Sequence, residues 1–107
     1  MNSDEIIKMF IEKSRLKNSY TSNERECLTC NSRNPNWIIY LQNSLESANI
    51  SLEKFCQMHI SAAHSESELL FFIYQGRLCV NHKHEYSPRP ECVTLGDIRK
   101  ILDALLN

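Results

Sequence analysis

Two adjacent helical segments joined by a very short link are the feature that most restricts how this chain can fold. The first segment begins at Asn34-Pro35, where a capping side chain precedes the proline favoured at the first helical position. Asn49 can adopt the left-handed conformation that ends a helix, and Ser51 caps the next one. A link this short predicts an antiparallel helix pair. The apolar residues that recur at helical spacing are Trp37, Ile38, Leu41, Leu45 and Ala48, then Leu52, Phe55, Cys56, His59, Ile60 and Ala63.

Helical periodicity also predicts one helix near each end of the chain. The N-terminal helix has Ser3 as its cap and fades near Lys17. The C-terminal helix opens with Thr94 and Asp97 and runs to the end of the sequence. Its apolar face consists of Leu95, Ile98, Ile101, Leu102, Leu105 and Leu106.

The segment from residue 65 to residue 82 has two interpretations. Two apolar runs, 69–74 and 77–82, flank a Gln75-Gly76 turn, which is typical of a β-hairpin. Alternatively, Ser65 and Glu68 form a capping box and Gly76 ends a short helix before a strand. The density of aromatic residues favours the hairpin. The predicted fold class is therefore α+β: one mostly helical domain over residues 1–107, with about four helices, a central antiparallel helix pair and one hairpin.

Composition indicates a self-sufficient core in a reducing compartment. The chain has 107 residues, 42% of them hydrophobic, which suits one domain without disulfides. The acidic start is unlike a signal peptide and no apolar run could span a bilayer, so we expect a cytoplasmic protein that does not engage membranes. Only two glycines are present, whereas phosphate-binding loops and catalytic turns commonly use several. We therefore expect no enzymatic activity and no cofactor.

The alternative to a chain without a cofactor is one structural zinc, and its first two ligands would lie in the long polar loop at 18–34. Cys27-Leu28-Thr29-Cys30 has the spacing of a zinc knuckle, and Cys79-x-x-His82 could supply the other two ligands of one structural zinc. Such a metal would order a loop that is otherwise flexible. An offset of three places Cys79 and His82 on opposite faces of a regular strand, so this site requires the strand to end near Cys79.

Other chemical patterns are weaker. Cys56 and His59 share a predicted helix face with core residues, which favours a buried thiol and a hydrogen-bonded imidazole over metal ligation. His82 and His84 fit two surface imidazoles better than a catalytic metal site. Redox activity at Cys27 would need a helix to begin directly after the motif, and the intervening polar residues argue against it.

Charge is unevenly distributed along a chain of net charge −1. Residues 13–33 carry five basic and two acidic side chains, whereas residues 34–75 carry one basic and four acidic. This segregation favours docking to a partner protein, as in a bacterial immunity-type inhibitor. The alternative is a zinc-stabilised nucleic-acid-binding or regulatory module whose phosphate contacts come from Lys13, Arg15, Lys17, Arg25 and Arg33. The predicted contacts for a protein partner are Glu46, Glu53, Glu66, Glu68 and Tyr74.

Overall fold

The computed structural model describes residues 1–14, 28, 36–58, 60–61, 68–82 and 93–106. Their elements form a single compact α+β domain, mostly helical, with four helices and one antiparallel hairpin, which confirms the predicted fold class. A two-residue strand adds to the hairpin, so the described strands form one sheet in the order β1-β2-β3. The elements are α1 (Ser3–Ser14), α2 (Trp37–Ser47), α3 (Leu52–Cys56), β1 (Ile60–Ser61), β2 (Glu68–Tyr74), β3 (Arg77–His82) and α4 (Leu95–Leu106).

Helix α1 is capped by Asn2, so the predicted Ser3 cap is wrong by one residue. The Asn2 side-chain oxygen accepts a hydrogen bond from the Glu5 backbone N–H at 2.9 Å. Ser3 is the first helical residue instead and is buried. At the other end, the Ser14 hydroxyl donates to the Phe10 carbonyl at 2.7 Å. The described helix ends at this residue, and Lys17 lies outside the described residues.

Helix α2 ends as its sequence predicts. Asn49 has a φ of 57°, the left-handed conformation expected there. The Ile50 N–H donates to the Leu45 carbonyl at 2.9 Å and the Asn49 N–H to the Glu46 carbonyl at 3.1 Å, the two bonds of a Schellman motif. At its start, α2 begins at Trp37, and the predicted start at residues 34–35 lies outside the described residues.

Helix α3 starts as predicted but is much shorter than expected. The Ser51 hydroxyl caps it by accepting from the Lys54 N–H at 3.4 Å. The helix ends at Cys56, and Ile60 belongs to strand β1, opposite Leu69 of β2. The apolar spacing predicts a helix that extends to residue 63, because Ile60 continues its period. Pairing with β2 overrides that local pattern.

The hairpin has the predicted strands and turn. Strands β2 and β3 pair antiparallel, with Tyr74 opposite Arg77 and Phe72 opposite Cys79. Gln75 and Gly76 both have positive φ, 51° and 77°, as a two-residue type I′ turn requires. Its backbone twist matches that of the strands, which explains how so short a loop closes the ladder.

Helix α4 begins with a buried reciprocal cap. The Asp97 carboxylate accepts from the Thr94 N–H at 3.0 Å, and the Thr94 hydroxyl accepts from the Asp97 N–H at 3.1 Å. Because both residues are buried, these bonds satisfy backbone donors that water cannot reach. The cap holds the helix start within the core, as the sequence pattern at these two positions indicates.

The core lies between the helices and one face of the sheet. Helices α1 and α4 each supply four buried apolar residues, so the terminal helices contribute more than the short central pair. The sheet contributes the buried side chains of Phe71 and Leu78 to this core. The Phe71 ring packs edge to face on Phe55, with ring centroids 5.0 Å apart. Every helix in the described part of the chain is too short or too polar to cross a bilayer.

Leu28 is the one described residue of the predicted 18–34 loop, and it is part of the core. Its side chain is 4% exposed, and its N–H donates to the Val93 carbonyl at 2.7 Å. This contact joins the segment between α1 and α2 to the residues that precede α4. No sequence pattern predicts this contact, since one leucine in a polar stretch has no periodicity.

Candidate functional site: the outer face of the hairpin

The two faces of the hairpin differ in how they are covered. Side chains alternate between faces along a strand, and the helices pack against the face that carries Phe71 and Leu78. The opposite face carries Phe72 and Tyr74 of β2, with Arg77 and Cys79 directly across from them on β3. We call these four residues, Phe72, Tyr74, Arg77 and Cys79, the outer patch.

The outer patch exposes aromatic surface to solvent. Phe72 is 42% exposed and Tyr74 is 62% exposed, while Arg77 is exposed and Cys79 is partly buried. An antiparallel sheet with one solvent face normally places polar residues on it. The exposed aromatic residues therefore distinguish this face from an ordinary solvated one.

Glu46 lies beside the turn of the hairpin because Gln42 connects α2 to it. The Gln42 side-chain nitrogen lies 2.8 Å from the Glu46 carboxylate and 3.1 Å from the Gly76 carbonyl. The Gln42 oxygen accepts from the Leu78 N–H at 2.9 Å. Two of the five predicted partner contacts, Glu46 and Tyr74, are thus brought to the same end of the molecule.

Two of the other predicted partner contacts, Glu53 and Glu68, lie in other parts of the described structure. Glu53 is exposed in the first turn of α3, the helix whose Phe55 packs on the inner face. Glu68 is the first residue of β2, at the end of that strand away from the turn. Glu66 lies outside the described residues. These three positions remain predictions.

The predicted zinc ligands fall partly outside the described residues. Cys27 and Cys30 are not described, and nor is His59. Strand β3 continues through His82, so positions 79 and 82 fall on opposite faces, the arrangement that the sequence argument identified as unfavourable for the pair. Among the described residues, no group of three His, Cys, Asp or Glu could hold a metal ion. The structural zinc remains a prediction, tested by measuring zinc per chain.

Two thiols lie in the described part of the chain, and both are free. Burial raises the pKa of Cys56, and the neighbouring Cys79 raises it further. A higher pKa leaves less reactive thiolate near neutral pH, so Cys56 is a poor candidate for a nucleophile. Cys79 contacts the Arg77 carbonyl through its sulfur, at 3.6 Å.

The predicted phosphate contacts cannot be assembled from the described residues. Lys13 lies in the last turn of α1, where its ammonium group donates to the Ser47 hydroxyl at 3.2 Å. The remaining four, Arg15, Lys17, Arg25 and Arg33, lie outside the described residues. The nucleic-acid alternative therefore remains a prediction.

Sequence reasoning missed Gln42 and Phe72. Gln42 is a polar residue next to the apolar stripe of α2, a pattern that also fits an ordinary boundary position. Phe72 belongs to an unbroken apolar run, 69–74, in which period-2 alternation is invisible, so the exposed face could not be identified. Comparison of the chain with protein-family models, characterised proteins and solved structures gives no significant match.

Proposed function

We propose that this protein is a binding module that docks to a partner protein through the outer patch. The observation that supports the proposal is the exposure of Phe72 and Tyr74 on the face of the hairpin opposite Phe71 and Leu78, as seen among the described residues. Aromatic side chains are enriched in protein interfaces because they supply a large contact area at a low cost in conformational entropy. Burying such a side chain fully contributes about 1.5–3 kcal/mol.

The hairpin offers this surface on a rigid support. The inner face is fixed by the contact between Phe71 and Phe55, and the turn is held against α2 by Gln42. A docking surface that is already ordered avoids part of the entropy cost of association. The outer patch is therefore suited to binding without rearrangement of the domain.

The charges beside the patch define the chemistry of the partner. Arg77 lies within the patch, directly opposite Tyr74, and Glu46 lies beside the turn. We expect the partner to present an apolar side chain to the aromatic residues, an acidic group near Arg77 and a basic group near Glu46. Charges at the border of an interface mainly affect the association rate and the choice of partner.

Inhibition of the immunity type is the form of docking that the sequence analysis favours. In that case the module would cover a functional surface of its partner. The test is whether the partner loses its activity on adding one equivalent of this protein, and whether a patch variant fails to cause that loss.

The principal experiment compares two matched variants. The patch variant carries Phe72→Ser and Tyr74→Ser, and the control carries Ile39→Ser, which changes an apolar residue of α2 that is 50% exposed. Each immobilised protein is used to capture partners, and the affinity of any candidate is then measured with purified components. We expect the patch variant to bind at least about 30-fold more weakly, since central aromatic residues dominate interfaces, and the control to bind like the wild type. Equal losses in both variants would refute the proposal.

Charge reversal at Glu46 tests whether an acidic residue beside the outer patch affects binding more than an acidic residue elsewhere on the surface. Glu46→Lys should slow association with the same partner and weaken the salt dependence of its rate. Glu12→Lys is the matched control, because Glu12 is also an exposed helical glutamate and is not among the predicted partner contacts. Equal effects of the two reversals would show that overall charge, and not the position of Glu46, matters.

A further inference from the structure

Strand β3 forms an edge of the sheet that the described strands make. In a two-residue hairpin the residues beside the turn, Tyr74 and Arg77, exchange hydrogen bonds, and the next pair, Ile73 and Leu78, directs its N–H and C=O groups away from the ladder. The Leu78 N–H therefore faces the open edge, and so does the Val80 N–H two residues later. Edges of this kind can pair with a strand from another chain.

The side chain of Gln42 occupies that edge beside the turn. Its oxygen accepts from the Leu78 N–H at 2.9 Å and its nitrogen donates to the Gly76 carbonyl at 3.1 Å. These two groups flank Arg77, as do the groups that one residue of an added parallel strand would engage. A carboxamide has the same donor and acceptor as a peptide group, so it satisfies both.

The Glu46 carboxylate fixes the orientation of this carboxamide. It lies one helical turn after Gln42 and accepts from the same side-chain nitrogen at 2.8 Å. A flipped amide would place its oxygen against both the Glu46 carboxylate and the Gly76 carbonyl, and its nitrogen against the Leu78 N–H. The three contacts therefore select one orientation.

We propose that Gln42 is an intramolecular substitute for a neighbouring strand, which blocks strand addition at the start of β3. The inference does not depend on the proposed function, although it agrees with docking through the face of the hairpin. Without the carboxamide, the Gly76 carbonyl and the Leu78 N–H would also be open to a strand from a second copy of this chain. The Gln42 carboxamide, oriented by Glu46, thus acts against self-association at the part of the edge beside the turn.

Amide hydrogen exchange of the wild-type protein gives a test that needs no variant. The Leu78 and Val80 amides both point to the edge, but only the former donates to Gln42. We expect the Leu78 amide to exchange about tenfold more slowly than the Val80 amide when both are corrected for intrinsic rates. Equal rates, or slower exchange at Val80, would overturn the inference.

Gln42→Met tests the consequence for association. Methionine retains the length and helix propensity of glutamine but lacks the carboxamide. The matched control is Asn43→Met, which adds the same side chain at the neighbouring exposed position of α2. By sedimentation velocity over a concentration series, we expect Gln42→Met to form larger species than the wild type and the control. Identical mass distributions for all three proteins would refute the blocking role.

Gln42→Glu tests the hydrogen-bond acceptor of the residue 42 side chain without its donor. Its carboxylate can still accept from the Leu78 N–H, but it cannot donate to the Gly76 carbonyl and it lies beside Glu46. We expect protection of the Leu78 amide between that of the wild type and that of Gln42→Met. If the Leu78 amide of Gln42→Glu is as protected as in the wild type, and the variant associates no more than the wild type, the hydrogen bond to the Gly76 carbonyl has no role in blocking strand addition.

Discussion

Phe71 and Phe72 are neighbours in one strand, yet they occupy contrasting environments. Phe71 is 3% exposed and packs edge to face on Phe55, whereas Phe72 is 42% exposed on the outer face. Their residue type and strand are the same, so the difference arises from the alternation of faces along β2. The inner face of the hairpin packs into the core, and the proposed docking surface lies on the other face.

The contrast also shows what holds the outer patch in place. The inner face is fixed by core packing, and the turn is fixed by hydrogen bonds from α2. The patch itself contributes little to either. Substitutions on each of the two faces therefore test most directly whether the inner face stabilises the fold and the outer face binds a partner.

The largest expected effect is the difference between Phe71→Ala and Phe72→Ala. We expect the first to lower the free energy of unfolding by about 3–5 kcal/mol, because it removes a buried ring and leaves a cavity. The second should cost less than about 1 kcal/mol, since its ring keeps much of its contact with water. Urea denaturation at equal protein concentration measures both. Similar losses would mean that the outer face is covered in solution.

Leu28→Ala examines the buried contact outside the regular elements. Truncating this leucine should cost about 2–4 kcal/mol, as for other buried leucines. The same denaturation series gives the value, with Ile39→Ala as an exposed control on α2. A loss as small as that of the control would place Leu28 outside the core.

Gly76→Ala isolates the conformation of the turn from packing. A Cβ at residue 76 would meet no atom within 4 Å, so any cost comes from the φ of 77°. We expect a loss of about 1–2 kcal/mol, because the left-handed region is unfavourable for alanine. Partner affinity should be retained at temperatures where the variant is folded, in contrast with the patch variant. Thermal unfolding and a binding titration of the same sample measure the two properties.

Gln75→Asn should stabilise the same turn slightly. Asparagine tolerates positive φ better than glutamine, and Asn-Gly is the preferred type I′ pair. The expected gain is about 0.5 kcal/mol, with no change at the outer patch. A loss of stability would indicate that the glutamine side chain has a role that the backbone does not require.

The smallest expected effect is a decline of stability at alkaline pH that depends on Cys56. Its pKa is raised, first by burial and then by Cys79, so the folded state binds the thiol proton more tightly than the unfolded state does. Stability from this group is complete below its unfolded pKa and is lost as the pH rises through the folded pKa. Melting temperatures of the wild type and Cys56→Ala between pH 7 and about pH 10 should diverge only at the upper end. Parallel curves would contradict the assignment.

Much of the fold follows from local sequence signals, and the exceptions have a common cause. Asn49, Ser51 and the Gln75-Gly76 turn are predictable because each position demands a particular backbone conformation or cap. The length of α3 is not, since Ile60 fits both a helical period and a strand. Pairing with Leu69 decides between them, and such pairing is not encoded locally.

The candidate site was predictable only in part. Residue type and local charge predict Tyr74 and Glu46 as contacts, but nothing in the sequence indicates that Gln42 joins their two elements. Phe72 was hidden in an apolar run whose two faces look alike. Contacts between residues that are distant in sequence, here 34 and 36 positions apart, determine which surface is left open.

The most direct test of the docking surface is site-specific photocrosslinking. A photoreactive phenylalanine analogue is placed at Tyr74 or, as a control, at Ile39, the two being exposed apolar positions on different elements. We expect position 74 to crosslink to one discrete protein and position 39 not to do so. The same crosslinked protein at both positions, or its appearance at position 39 alone, would contradict docking through the outer face of the hairpin.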